Sequence, residues 1–251
     1  MPFLSRVPNI AIVWFQREAA IGGLRYKMDI KNNINLFNRE VTRLGGRLIA
    51  VGKTHPPEKL LEAYQAGQRI FGENKVQEMT GKYEVLPKDI AWHMIGHLQS
   101  NKVKFIAPFV ALIHSVDSFR LMEEIHKQGK KIGRIVPCLL QAHIAQEETK
   151  FGFDENELYS VMENPITSEL DFLRIDGLMG MASLTEDKEK IRSEFRHLKT
   201  IFQTLSSRRR PANIMMTELS MGMSSDYKIA LQEGSTLVRI GTAIFGERDS
   251  Q

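Results

Sequence analysis

Hydrophobic positions along the chain follow two different periods. Ile30, Ile34, Leu36, Phe37, Val41 and Leu44 recur at spacings that suit one helix face, and Gly45-Gly46 ends that run. Beyond it come short apolar runs at Arg47–Val51, Arg69–Phe71, Ala91–Ile95, Leu112–Val116, Arg134–Leu140, Arg174–Met179, Asn213–Leu219 and Thr236–Ile240. Amphipathic segments of helical type separate them, among them Pro57–Ala66, Phe119–Gln128, Lys188–Leu205 and Tyr227–Glu233. Strands alternating with helices imply parallel pairing through right-handed crossovers. Eight such units in 251 residues predict an α/β fold, a single closed (β/α)8 barrel of TIM type spanning residues 28–251. A doubly wound open sheet is the rival, but no G-x-G-x-x-G follows the first strand. Residues 1–27 lack sustained helical periodicity and contain Gly22-Gly23, so they read as a loosely ordered extension, with a short ordered cap as the alternative.

Composition changes this picture little. With 42% hydrophobic and 25% charged residues the chain belongs with ordinary globular proteins. Cys138 is the single cysteine, which excludes an intrachain disulfide and a Cys-rich zinc site and fits a reducing compartment. The longest apolar stretch, Phe105 to Ile113, is broken by Pro108 and far too short to span a bilayer, and no secretory cleavage site follows Ile10–Phe15. Of the net charge of +4, residues 1–27 carry +3, which leaves the body nearly neutral. The cluster Arg208-Arg209-Arg210 reads as a solvated loop, so no basic stripe for nucleic acid remains.

In a barrel of this kind the chemistry collects at the C-terminal ends of the strands. Strand one ends in Val51-Gly52-Lys53-Thr54, which sets a lysine amine among apolar walls at the barrel mouth, ready to attack a carbonyl; a lysine that merely snorkels from a strand end is the bland reading. Strands two and three end in Gly72-Glu73-Asn74 and His93-Met94-Ile95-Gly96-His97, which suit hydrogen bonding to a polar ligand. His93 and His97 stand four apart, but no third metal ligand accompanies them. The loops after strands seven and eight carry Ser220, Ser224, Gly241 and Thr242, the donors of a phosphate cradle or, more plainly, turn and cap residues. A lysine facing a phosphate cradle points to a phosphorylated aldehyde, with pyridoxal 5′-phosphate the leading candidate. A Schiff-base aldolase would carry its lysine after strand six, where this chain has Gly177-Leu178-Met179-Gly180-Met181.

Over residues 30–246 these motifs together resemble the pyridoxal phosphate homeostasis protein family. The likeness includes Gly52-Lys53-Thr54, Gly72-Glu73-Asn74 with Val76-Gln77-Glu78, and His93 through Lys102. It continues through Leu219-Ser220-Met221-Gly222-Met223-Ser224 and Val238-Arg239-Ile240-Gly241-Thr242. The family fold is similar to the N-terminal barrel of alanine racemase. The resemblance implies pyridoxal 5′-phosphate held as an aldimine on Lys53, Arg239 at the pyridine nitrogen, and Asn74 and His93 lining the ring. It gives the phosphate to Ser220, Ser224, Gly241 and Thr242. Gly52 stands where the family commonly has Ser, a change expected to be tolerated. Gln141-Ala142-His143 departs from a common Val-Asn, although Glu147, Lys150 and Gly152 keep the E-x-x-K-x-G pattern that follows.

The resemblance implies a cytoplasmic carrier acting in vitamin B6 homeostasis, without catalytic residues, metal, nucleic acid or membrane. It is expected to be a monomer that passes its cofactor to apo-enzymes. The rival is a weak amino-acid racemase. Alanine racemase draws its opposing base from a second, β-rich domain, for which the five residues after Gly246 leave no room.

Overall fold

The computed structural model describes residues 29–145 and 152–246. The expected extension over 1–27 and the Glu147 and Lys150 positions lie outside them. Eight parallel strands close in sequence order, with the first paired to the last through Ile49↔Arg239 and Ala50↔Ile240. They are β1 (Arg47–Val51), β2 (Ile70–Glu73), β3 (Ala91–Met94), β4 (Leu112–Val116), β5 (Val136–Gln141), β6 (Leu173–Met179), β7 (Ile214–Met223) and β8 (Leu237–Ile240). The predicted (β/α)8 barrel is the observed fold.

Helix α1 (Ile30–Arg43) starts where the Asp29 carboxylate accepts the Asn32 N–H at 2.7 Å and stops before Gly45 at φ +81°. After it come α2 (Pro57–Gln65), α3 (Val76–Val85), the short α4 (Val103–Ile106), α5 (Phe119–Ile132), α6 (Glu155–Glu163) and α7 (Pro165–Glu169). The set closes with α8 (Lys188–Ser207), α9 (Tyr227–Gln232) and α10 (Thr242–Phe245). A large apolar layer packs between helices and sheet, while Ile49, Leu112, Leu139, Met179 and Leu237 form a separate cluster. These five come from alternate positions of five strands, so they are the inward-facing floor of the barrel.

One boundary matters for the site. Strand β7 runs four residues past its expected end, because Met179↔Ser220 and Met223↔Arg239 keep it paired on both sides. Ser220 therefore lies within the sheet and not in the loop after it.

Candidate functional site

Two residues above the floor, the pleat brings His114 from β4 and Arg239 from β8 to the same inward face. They join a buried polar layer. The Arg239 Nη1 donates to the Ser220 carbonyl at 3.0 Å and to its hydroxyl at 2.6 Å, and Nη2 donates to the Gly180 carbonyl at 3.1 Å. The Ser220 Oγ lies 2.9 Å from His114 Nδ1, and His114 Nε2 lies 2.9 Å from His93 Nδ1. Burial holds His93 down to about 3 and His114 well below its ordinary range, so both rings are neutral. Arginine can only donate. The arrangement that uses every hydrogen therefore sends the Ser220 proton to His114, the His114 Nε2 proton to His93, and leaves the His93 proton on Nε2. Burial also lowers Arg239 to about 10, with Asp226 acting the other way, and it stays charged. Among the described residues three of its five N–H groups are engaged, and Nε and one Nη2 hydrogen are not.

Lys53 sits at the mouth above this layer, half-buried, in a tight turn closed by His55 N–H to the Gly52 carbonyl at 3.0 Å. Among the described residues its amine has no hydrogen-bond or ion-pair partner. Thr54 follows at φ +66°, the left-handed value that the third position of a type II turn demands and that Gly or Asn normally fills. For a β-branched residue this costs on the order of 1–3 kcal/mol.

The turn is surrounded by charge from one strand and one helix. Lys82 on α3 donates to the Gly52 carbonyl at 2.9 Å and to Glu73 Oε1 at 2.6 Å, while Thr54 N–H donates to Glu78 Oε2 at 2.8 Å. Glu73 is fully buried, and burial raises its carboxyl to about 7 despite the Lys82 ammonium. A Cβ on Gly52 would come within 2.9 Å of Glu73 Oε1 and 2.8 Å of a Leu60 methyl, so this carboxylate fills the space a serine would take.

The other candidate residues lie mostly at the ends of β2 and β8, the two strands beside β1, and of β7 beyond β8. Among the described residues the buried Asn74 Oδ1 has no hydrogen-bond partner, and neither has His143 Nε2 just after β5. A buried polar atom left open costs about 1–3 kcal/mol, which makes these two positions near the strand ends candidates for contact with a ligand. At the ends of β7 and β8 the Gly241 N–H reaches the half-buried Ser224 Oγ only at 3.4 Å, and Thr242 is exposed beside it at the start of α10. A side chain on Gly241 would approach the Val51 carbonyl to 3.1 Å, so this group abuts the strand that carries Lys53. Ser220 stands apart from them: fully buried, with its hydroxyl committed to His114 and Arg239, it belongs to the interior layer. His93 and His97 are also separated, His97 pairing with Asp117 at 3.1 Å. Among the described residues no cluster of three or more metal-ligating side chains forms, and no helix is long and apolar enough to cross a membrane.

The sequence reading missed His114 and Lys82. Each left a trace: His114 is a lone histidine two residues after an inward apolar position, and Lys82 is four residues after Glu78 on a helix.

The profile of the alanine racemase N-terminal domain family matches residues 28–249. A curated relative, the pyridoxal phosphate homeostasis protein of Aquifex aeolicus (strain VF5), is 41% identical over 203 residues, 80% of this chain and 87% of the relative. The chain belongs to the pyridoxal phosphate homeostasis protein family. Among solved structures it is similar to PipY of Synechococcus elongatus PCC7942 with PLP bound, at 36% identity and a TM-score of 0.77 over 87% of this chain and 100% of that one. The alanine racemase of Streptomyces coelicolor A3(2) shares the fold at a TM-score of 0.67 and 18% identity, covering 86% of this chain and 57% of the racemase. These likenesses agree with the family membership expected from the motifs.

Proposed function

We propose that this protein binds pyridoxal 5′-phosphate through a covalent bond to Lys53 and serves in cytoplasmic pyridoxal phosphate homeostasis as a carrier. The observation that carries the reading is the uncommitted Lys53 amine at the barrel mouth, with the open Asn74 acceptor and the Ser224–Gly241–Thr242 group around it. Capture joins the Lys53 Nζ to the aldehyde carbon as a C=N bond, and the aldehyde oxygen leaves as water. Ser224, Gly241 and Thr242 supply donors to the phosphate, His93 and Asn74 flank the ring, and Ser220 works one layer below by holding Arg239.

When bound, the cofactor supplies an aldehyde and an electron-withdrawing ring. Arg239, which can only donate, keeps the ring nitrogen unprotonated and so weakens that withdrawal. This supports storage and transfer over turnover. PipY with PLP bound and the curated relatives named for pyridoxal phosphate homeostasis support the same reading. In this reading residues 28–251 are the working unit, residues 1–27 an extension outside it, and the protein acts as a monomer that releases its cofactor to apo-enzymes.

The test is an absorbance spectrum with added pyridoxal 5′-phosphate, before and after borohydride reduction and for Lys53→Ala. A yellow band that reduction bleaches and the substitution removes is expected. The absence of any such band in the wild-type protein overturns the proposal. Solvent deuterium appearing at the α-carbon of L-alanine would move the assignment from carrier to racemase.

A further inference from the structure

Lys53 is gripped through its neighbours. The peptide group before it is held at the Gly52 carbonyl by Lys82, and the one after it at the Thr54 N–H by Glu78. Glu78 and Lys82 stand four residues apart on α3, so both prongs rise from one helix face, with Lys82 Nζ 3.8 Å from Glu78 Oε2. Lys82 is itself fixed: it is buried and bonded to the fully buried Glu73. Lys75 adds a weaker, exposed contact to Glu78 at 3.7 Å.

The two prongs act on a backbone that would not hold its shape alone. Thr54 at φ +66° lies outside the regions a β-branched residue prefers, and relaxation there turns the peptide next to Lys53. A turn of that peptide swings the Lys53 side chain about its own Cα. Among the described residues no hydrogen bond or ion pair holds the Lys53 amine, so its aim depends on this backbone.

We propose that Glu78 and Lys82 are positioning residues that clamp the peptide groups on either side of Lys53, and so set the direction from which its amine meets an aldehyde. The inference rests on Lys53 being the aldehyde-capturing group. It concerns the aim of the amine, and it predicts an effect on capture rate that follows the hydrogen bond to Thr54 and not the charge on Glu78.

The full-length protein is used throughout, with three readouts: amide hydrogen exchange at Thr54 without ligand, the second-order rate of band formation with pyridoxal 5′-phosphate, and the thermal midpoint. In the wild type the Thr54 amide is expected to exchange at least about tenfold slower than an unprotected amide. Free exchange there overturns the clamp with no variant needed. Glu78→Ala should speed that exchange and slow capture by about tenfold, the scale of a modest misplacement of a reacting group. Glu78→Gln keeps an oxygen for the Thr54 N–H and should restore both to within about twofold. In a Thr54→Gly background, where positive φ is free of strain, the loss from Glu78→Ala should shrink to less than about threefold. Equal impairment of Glu78→Gln and Glu78→Ala, or an undiminished loss in the Thr54→Gly background, refutes the clamp. A wild-type protein that forms no band sinks the aldehyde reading, while Thr54 exchange still decides the clamp.

Discussion

His93→Gln probes the buried polar layer through its response to acid. In the folded protein burial, with a smaller contribution from the Arg47 charge, holds His93 down to about 3 against an ordinary value of 6.5. The folded state therefore refuses a proton that the unfolded chain accepts below 6.5. A histidine lowered in this way contributes stability that is present above 6.5 and is lost as pH falls towards 3. At pH 5 the unfolded chain lies one and a half units below the ordinary value, and at about 1.4 kcal/mol per unit His93 alone costs about 2 kcal/mol there. Glutamine can replace the contact to His114 Nε2 and has nothing to titrate. Urea unfolding of both proteins at pH 8 and pH 5 isolates the effect as a difference of differences, in which all other groups cancel. The wild type should lose about 2 kcal/mol more than His93→Gln between the two conditions. Equal losses, within about half a kcal/mol, would show that the folded protein protonates His93 freely, and the neutral chain from Ser220 to His93 would then be wrong.

Three further outcomes follow from the same geometry. Ser224→Ala should weaken pyridoxal 5′-phosphate binding by about 1.5–3 kcal/mol, the worth of one hydrogen bond to a charged group, and leave the affinity for unphosphorylated pyridoxal unchanged in parallel titrations. Glu73→Gln should flatten a slope of opposite sign. A carboxyl raised from 4.5 to about 7 makes the wild type lose stability as pH climbs between those values, by about 3 kcal/mol, and denaturation at pH 5 and 7.5 reads the difference. Gly52→Ser should lower stability by about 1–3 kcal/mol by crowding Leu60 and Glu73, which thermal unfolding will show as a lower midpoint.

The barrel was legible because a sheet buried on both faces writes itself as apolar runs, and β1 and β4 match their expected limits residue for residue. Lys53, Asn74, Ser224 and Gly241 could be named as candidates by counting from strand ends, since strand ends are where this fold puts its chemistry. What stayed hidden is pairing across the barrel. His114 and Ser220 are 106 positions apart, and nothing in either segment says that closure brings them to 2.9 Å. Ser220 read as a loop residue because Ser-Met-Gly-Met has weak strand character, yet pairing to both neighbours carries β7 through it. Nothing in the segment around Lys82 shows that the buried Glu73, nine residues earlier, pairs with it and holds it inward.

Closure of β1 on β8 also has a consequence for how the protein is made. Ribosomes deliver β1 before residues 237–240, so β1 waits through synthesis of all the intervening strands with one edge unpaired. The Asn33 side chain meets the Ile244 carbonyl at 3.0 Å only when the two ends of the barrel come together. The turn bearing Lys53 and the Gly241 group across the same seam are thus completed in one late, long-range event. A nascent chain stalled before residue 237 can bury much of its apolar surface, but the turn bearing Lys53 still lacks the neighbour that would complete the proposed aldehyde pocket.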